Sequence, residues 1–255
     1  MQFSVLTWNI HGKRHITKTN FAKVVPALES LRTDILCLQE AQEARDRLHK
    51  IRALWGFEQV FPSRGYNQNV ILSRFPVLAH GDVVFPKLVN TWLENALWAD
   101  IAVAGTVVRV YNCHFGIVGA GPSSREQQLD FICDHAESHK GPVIVCGDLN
   151  TTIPRKGLRR KLVQLFHLQP EQKMNVGGKT FDHDERYAIV KVAERRGFRE
   201  VTDISQATWR VYPFDWELFS LKLDWFLVRG LDTHDVRMYP YITDHRAITA
   251  ECVLR

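Results

Sequence analysis

Pro142-Val143-Ile144-Val145-Cys146-Gly147-Asp148-Leu149-Asn150 is the stretch from which the fold is read. Its apolar half is rich in β-branched side chains and opened by Gly141-Pro142, the composition of a buried strand. Residues two apart in a strand share a face, so Asp148 and Asn150 point the same way where the strand runs out. Open α/β sheets bind their ligands beyond the carboxyl ends of their strands. A carboxylate and an amide in that place suit polar chemistry. Gly-Asp and Asn are also ordinary turn formers, so the tetrapeptide needs company before it stands for a site.

Outward from this strand, apolar runs alternate with helical ones. Residues 3–9 and 34–39 read as strands, 20–31 as a helix, and 43–55 as a charged amphipathic helix. Residues 57–61, 69–72, 77–84, 96–102 and 107–114 read as consecutive strands, with Gly105 in a hairpin turn. Ser123, with Glu126 three residues on, predicts a capping box and a helix through 138. A second helix over 184–196 ends at Gly197. Residues 221–228 and 247–254 supply the last two strands. Mixed β-α-β and hairpin content predicts an α/β sandwich of mixed sheets, with residues 1–255 forming one domain.

Composition bounds the function classes. Of 255 residues, 45% are hydrophobic and 24% charged, enough for one substantial core. Thirty-three Lys+Arg against 28 Asp+Glu give a net charge of +5, which suits an anionic partner such as a phosphate ester, nucleic acid or lipid headgroup. The five cysteines form no C-x-x-C pair, and Cys37, Cys113 and Cys146 sit in apolar runs, so reduced buried thiols are expected rather than zinc or disulfides. No run has the length of a membrane span, and the N-terminus lacks a signal-peptide pattern. Cytoplasmic residence without integral membrane association is therefore expected; no oligomer is implied.

Polar residues recur at the ends of the apolar strands: Asn9, Glu40, His114, Asp148 with Asn150, and Asp244-His245 just ahead of the last strand. Asn9 also reads as a turn residue, Glu40 as a charge favoured by a helix N-terminus, and His114 as a satisfied half-buried histidine. Asp224, inside Leu221-Lys222-Leu223-Asp224-Trp225-Phe226, is harder to set aside. A carboxylate in an apolar strand is expensive unless paired, and a histidine is its nearest explanation.

Six segments, T-W-N-I (7–10), L-Q-E (38–40), N-C-H-F (112–115), G-D-L-N (147–150), L-D-W-F (223–226) and T-D-H (243–245), together resemble the endonuclease/exonuclease/phosphatase superfamily, the deoxyribonuclease-like hydrolases, in their order and rough spacing. The resemblance implies a four-layer α/β sandwich, two central mixed β-sheets flanked by helices, with the site at one end. It implies a divalent-metal-dependent phosphoesterase in which Glu40, Asn9 and Asp244 hold Mg²⁺ or Mn²⁺, the metals that hard oxygen donors suit. Asp148 then orients or deprotonates water, and Asn150 steadies the water and the phosphate. His245 contacts the scissile phosphate, Asp224 holds its ring, and His114 is a phosphate ligand or general acid. Glu94 in W-L-E-N resembles a glutamate that supports the histidine in the deoxyribonuclease branch, and Asn69 lies in a region near the site in relatives; a solvated charge and a turn residue are the ordinary readings of these two.

Substrate contacts are less specific. Lys13 and Arg14, soon after Asn9, and Arg159 and Arg160, soon after Asn150, either bind phosphates beyond the scissile one or lie on solvated surface. Trp209, Tyr212, Phe214, Trp216 and Phe219 either pack in the core or stack on bases. A phosphodiesterase or nuclease acting on DNA, RNA or a nucleic-acid adduct is the favoured reading. A sphingomyelinase-like phospholipid hydrolase or a phosphatase of small phosphorylated metabolites is the enzymatic alternative, and a non-catalytic nucleic-acid-binding relative a third.

Overall fold

The computed structural model describes residues 1–10, 18–41, 56–57, 59–62, 69–85, 95–116, 123–151, 184–210 and 220–255. The chain runs β1 (Gln2–Asn9), α1 (Lys18–Leu31), β2 (Ile35–Gln39), β3 (Gln59–Pro62), β4 (Val70–Ser73), β5 (Val77–Val84), β6 (Asn95–Val103) and β7 (Thr106–His114). It continues with α2 (Ser124–Ala136), β8 (Val143–Asp148), α3 (Glu185–Arg195), β9 (Arg199–Glu200), β10 (Asp224–Arg229), β11 (Leu231–Met238) and β12 (Ile248–Leu254).

Among the described residues, two six-stranded sheets result, ordered β11-β12-β1-β2-β4-β3 and β5-β6-β7-β8-β10-β9. Both are mixed: β1–β2 and β7–β8 pair in parallel and the other neighbours are antiparallel. The central strands read as continuous apolar runs because both of their faces are covered. In β1, Phe3 and Val5 face the opposite sheet, whereas Leu6 and Trp8 face outward with Val24 and Leu28 of α1. In β8, Ile144 and Cys146 face the inter-sheet core, whereas Val143 and Val145 pack with α2 and α3. Helix α2 offers Leu129, Ile132, Cys133 and Ala136, and α3 offers Ile189, Val192 and Ala193, the i, i+3, i+4 spacing of an apolar helical stripe. The layers are thus α1, first sheet, second sheet, and α2 with α3, the four-layer sandwich the sequence implies. Each Leu or Ile buried this way is worth about 1.5–3 kcal/mol.

Several details differ from expectation. Ser123 occupies the N-cap of α2 at φ −108°, ψ −1°, and makes no side-chain capping bond. Its hydroxyl accepts from Gln127 Nε2 at 3.4 Å, so no capping box forms, and the helix ends at Ala136 rather than two residues later. Asp184 does cap α3, accepting from the Arg186 amide at 3.2 Å, and Gly197 follows at φ +74°. Strands β9 and β11 were not expected. Strand β11 is a sheet edge whose Asp232, His234 and Asp235 are exposed, so it carries little apolar signal. The helix expected over 43–55 lies outside the described residues. All five cysteines are buried free thiols. Among the described residues, no helix is long and apolar enough to cross a membrane.

Candidate active site

Register brings three polar residues of the second sheet into one row. Parallel pairing of β7 with β8 sets His114 opposite Asp148, and antiparallel pairing of β10 with β8 sets Asp224 opposite Asp148. The first sheet supplies the facing half. Asn9 ends β1, and Glu40 follows β2 at φ +53°. Asn150 likewise sits at φ +52°. Positive φ is uncommon for residues other than glycine, and Arg32, Ala104 and Asp235, away from this centre, share it.

Asp148 is the hub. It is buried, and its Oδ2 accepts from Asn9 Nδ2 at 2.9 Å while His114 Nε2 and His245 Nε2 face it at 3.6 and 3.8 Å. Asn9 Nδ2 also reaches Glu40 Oε1 at 3.4 Å, and His114 Nε2 lies 3.9 Å from that oxygen. The other Asp148 oxygen accepts the Asn150 amide N–H at 2.9 Å. Asn150 spends its own Nδ2 on the Phe115 carbonyl at 3.0 Å, and the Phe115 amide returns to the Asp148 carbonyl at 2.9 Å. The loop beyond His114 is anchored in turn. Gly116 donates to Gln128 Oε1 at 3.2 Å and accepts from Arg125, whose guanidinium forms a fully buried bidentate pair with Glu185 at 2.6 and 2.7 Å.

The carboxylate inside the apolar strand has the histidine partner the sequence called for. His245 Nδ1 meets Asp224 Oδ2 at 2.9 Å, both side chains buried. Burial pulls this imidazole down, but the charges of Asp224 and Asp148, the bond to Asp224 and the charge of Asp244 outweigh it, so the ring is pushed up to about 10. Burial raises the Asp148 carboxyl, partly offset by His245 and His114. The imidazole is thus braced by Asp224 on one nitrogen and faces Asp148 with the other.

Asp244 is half-buried and accepts from Trp209 Nε1 at 3.2 Å. Asn69 is buried one layer beneath the site, donating to the Asn112 carbonyl at 3.1 Å. Trp209 packs with Leu221 and Leu223, the core use of that aromatic. Glu94, Lys13, Arg14, Arg159, Arg160, Tyr212, Phe214, Trp216 and Phe219 lie outside the described residues.

Supporting residues emerge that sequence reasoning passed over. Thr243 Oγ1 takes bonds from Trp8 Nε1 and the His245 amide and contacts the Asn9 carbonyl at 3.1 Å, tying the two sheet-end segments together. Thr208 Oγ1 accepts the Leu223 and Asp224 amides at 2.9 and 2.8 Å, fixing the entry to β10. Thr243 was visible inside T-D-H; Thr208 left no local trace.

Asp148, Asp224 and His245 bring ligand-capable atoms within 4.8 Å of one another. His245 Nδ1 and Asp224 Oδ2 are already joined at 2.9 Å, so these two side chains serve one another. The Glu40 carboxylate beside the Asn9 side chain, 3.4 Å apart, fits a cation better. Their donors are oxygens, and all the thiols are buried in the apolar cores, so the chemistry fits a hard divalent ion.

Two stacked mixed sheets with a carboxylate–histidine centre at their shared end define the deoxyribonuclease-like class of α/β sandwiches. The chain belongs to the endonuclease/exonuclease/phosphatase family, whose model matches residues 6–245. Solved structures agree in fold. An endonuclease/exonuclease/phosphatase from Bacteroides vulgatus is 14% identical over 100% of both chains, with a TM-score of 0.73. A humanized D. rerio TDP2 is 18% identical over 99% of both chains, at 0.68. The structure of D. rerio TDP2 complexed with single strand DNA product is 17% identical over 99% of both chains, at 0.67. No curated protein matches the chain.

Proposed function

We propose that the protein is a Mg²⁺- or Mn²⁺-dependent phosphodiesterase, one catalytic domain over residues 1–255, acting on nucleic acid or a nucleic-acid adduct. The observation that carries this reading is the convergence of Asn9, His114 and His245 on one oxygen of Asp148. Phosphodiester hydrolysis needs an aligned water, a sink for charge on the pentavalent phosphorus, and help for the leaving oxygen.

Asp148 takes the first role. Its raised pKa makes it a stronger base toward a water it orients, and the Asn150 amide keeps the carboxylate aimed. His245 takes the second: held in its protonated form by Asp224, it presents Nε2–H to a phosphoryl oxygen. His114, facing Asp148 and Glu40, binds the phosphate or donates to the leaving oxygen. Glu40, Asn9 and Asp244 would hold the divalent ion, which when bound neutralises phosphoryl charge. Lys13, Arg14, Arg159 and Arg160 are the proposed contacts to flanking phosphates. The net charge of +5 and the DNA product held by the D. rerio relative support nucleic acid as the substrate class.

The test is a panel assay with Mg²⁺ and Mn²⁺ on single- and double-stranded DNA, RNA, a 5′-tyrosyl DNA adduct, sphingomyelin and inositol phosphates. Turnover of a nucleic-acid substrate is expected, lost in EDTA and restored by either ion. Asp148→Ala and His245→Ala should each lower kcat by on the order of 10³-fold or more, the loss typical when an essential catalytic group is removed. Turnover in chelator-stripped enzyme, wild-type rates in either variant, or turnover of only the lipid or inositol substrates would refute the proposal.

A further inference from the structure

The two halves of the site belong to different sheets, and most of what lies between those sheets is apolar. Phe3, Val5, Ile35, Cys37 and Ile71 of one sheet meet Ile101, Val110, Ile144 and Phe226 of the other. Apolar contact is non-directional and does not by itself prevent one sheet from sliding on the other. A slip on the order of 1 Å matters, since misplacement of that size costs roughly 10²-fold in rate.

Among the described residues, one polar layer interrupts this interface, directly beneath the site. Asn112, on β7 of the second sheet, sends its side chain into the first. Its Nδ2 donates to the carbonyls of Leu38 and Val70, both at 2.9 Å. Those residues are register partners at the end of the β2–β4 ladder, so one amide closes both strands. Asn112 Oδ1 accepts from Gln39 Nε2 at 2.6 Å, and its backbone carbonyl accepts from Asn69 at 3.1 Å. Gln39 Nε2 also reaches Thr7 Oγ1 at 3.0 Å. Thr7, Gln39, Asn69 and Asn112 are all fully buried.

Three of the four members stand one or two residues ahead of a site residue: Thr7 before Asn9, Gln39 before Glu40, Asn112 before His114. Burying several amides is a costly route to stability, because each must be matched or it loses more than an apolar residue would. Gln39 Oε1 is in fact buried without a hydrogen-bond partner. What the layer does supply is direction. Its bonds fix where Glu40 of one sheet stands against His114 and Asp148 of the other.

We infer that Asn112 is a positioning residue for the active centre, the clamp that sets the spacing between the Glu40 carboxylate and the His114–Asp148 pair across the two sheets. The inference rests on the function proposed above for those residues.

The experiment compares three variants. Asn112→Leu keeps the side-chain volume and removes the directional bonds. Ile71→Ala loosens the same inter-sheet core without touching the amides. Thr7→Val removes a single bond of the layer at constant shape. Two measurements are made: kcat and KM on the best panel substrate, and direct Mn²⁺ binding followed by the electron-spin-resonance signal of the free ion. Asn112→Leu should lower kcat ~100-fold with KM within about twofold of wild type, and weaken Mn²⁺ binding ~10-fold, the size of effect typical when residues supporting a metal site are changed. Ile71→Ala should keep both kcat and Mn²⁺ affinity near wild type at a comparable loss of thermal stability. Wild-type kcat and Mn²⁺ affinity in Asn112→Leu would overturn the inference, as would equal losses in Ile71→Ala. If Asn112→Leu does not unfold cooperatively, Thr7→Val carries the test, with a ~5-fold fall in kcat at unchanged KM expected and no change refuting. Should the wild-type protein hydrolyse none of the panel, the function reading fails by itself, while Mn²⁺ binding still reads the clamp.

Discussion

Gly147→Ala is the sharpest probe of how the site is built. Gly147 sits at φ +130°, immediately before Asp148, opposite Cys113 in the parallel β7–β8 ladder. A Cβ placed there would overlap the Cys113 carbonyl oxygen and come within 2.9 Å of both the carbonyl carbon and the amide nitrogen of Cys113. These are backbone atoms of a central strand, so no rotamer change relieves the clash and one strand has to move. The natural control is Gly105, at φ +82° in the β6–β7 turn, where a Cβ meets nothing within 4 Å. Gly105→Ala then costs only the left-handed backbone, about 1–2 kcal/mol. Gly147→Ala adds the overpacking of a tight interior, about 1–3 kcal/mol, for a total of about 2–5 kcal/mol. That is a large share of a domain stability of about 5–15 kcal/mol. Urea unfolding followed by tryptophan fluorescence measures both variants. Because the displaced ladder carries His114 and Asp148, kcat should fall at least ~100-fold in Gly147→Ala even where the protein is fully folded, while Gly105→Ala keeps wild-type kcat. Equal destabilisation of the two variants, or wild-type turnover in Gly147→Ala, would refute the close-approach argument.

The Arg125–Glu185 pair joining α2 to α3 is fully buried, so Glu185→Gln should cost about 3–5 kcal/mol by leaving a guanidinium without its counter-charge. The double replacement Arg125→Met with Glu185→Leu should cost clearly less, and a single-variant loss under about 1 kcal/mol would contradict the reading. His135 and His139 are both held below the ordinary histidine range, by burial first and then by the Arg109 charge. Depressed pKa values mean stability that is complete above the unfolded value of about 6.5 and lost as pH falls through the folded values. These two groups therefore pull the urea midpoint down between pH 7 and pH 5, while His245, with its raised pKa, pulls it up. The midpoint of His139→Gln relative to wild type should rise as pH falls across that window; a difference independent of pH would remove His139 from the account.

Much of the architecture was legible because β-branched runs announce buried strands and because the polar residues fall where those runs stop. Asp224 declared its own partner, since a carboxylate inside Leu223-Asp224-Trp225 has no inexpensive existence alone, and His245 stands 2.9 Å away. Other features had no local signal. Strand β11 lies at an edge and exposes charged residues, so its pairing with β12 outweighs a weak pattern. Ser123 matched the capping signature, yet its near-helical ψ turns the hydroxyl away from the amides it was expected to cap. The clamp around Asn112 was hidden for a different reason. Its bonds span 42 to 74 residues and reach carbonyls that exist as neighbours only after two sheets have stacked. A sequence states what each strand end offers; it does not state how two sheets are indexed against each other.

The position of β12 carries a consequence in time. It lies between β11 and β1 and closely follows His245, so the inner neighbour of β1 emerges only after the other described strands. At a synthesis rate of about 5–20 residues per second, on the order of 10–50 s separate the emergence of β1 from that of its inner neighbour. For that interval β1 keeps an open edge and Asn9 lacks the Thr243 contact, whereas Asp224, made 21 residues before His245, waits only on the order of 1–4 s for its histidine. The nascent chain therefore holds an incomplete centre until β12 docks on β1, and only then does the His245 segment join Asn9 and Asp224.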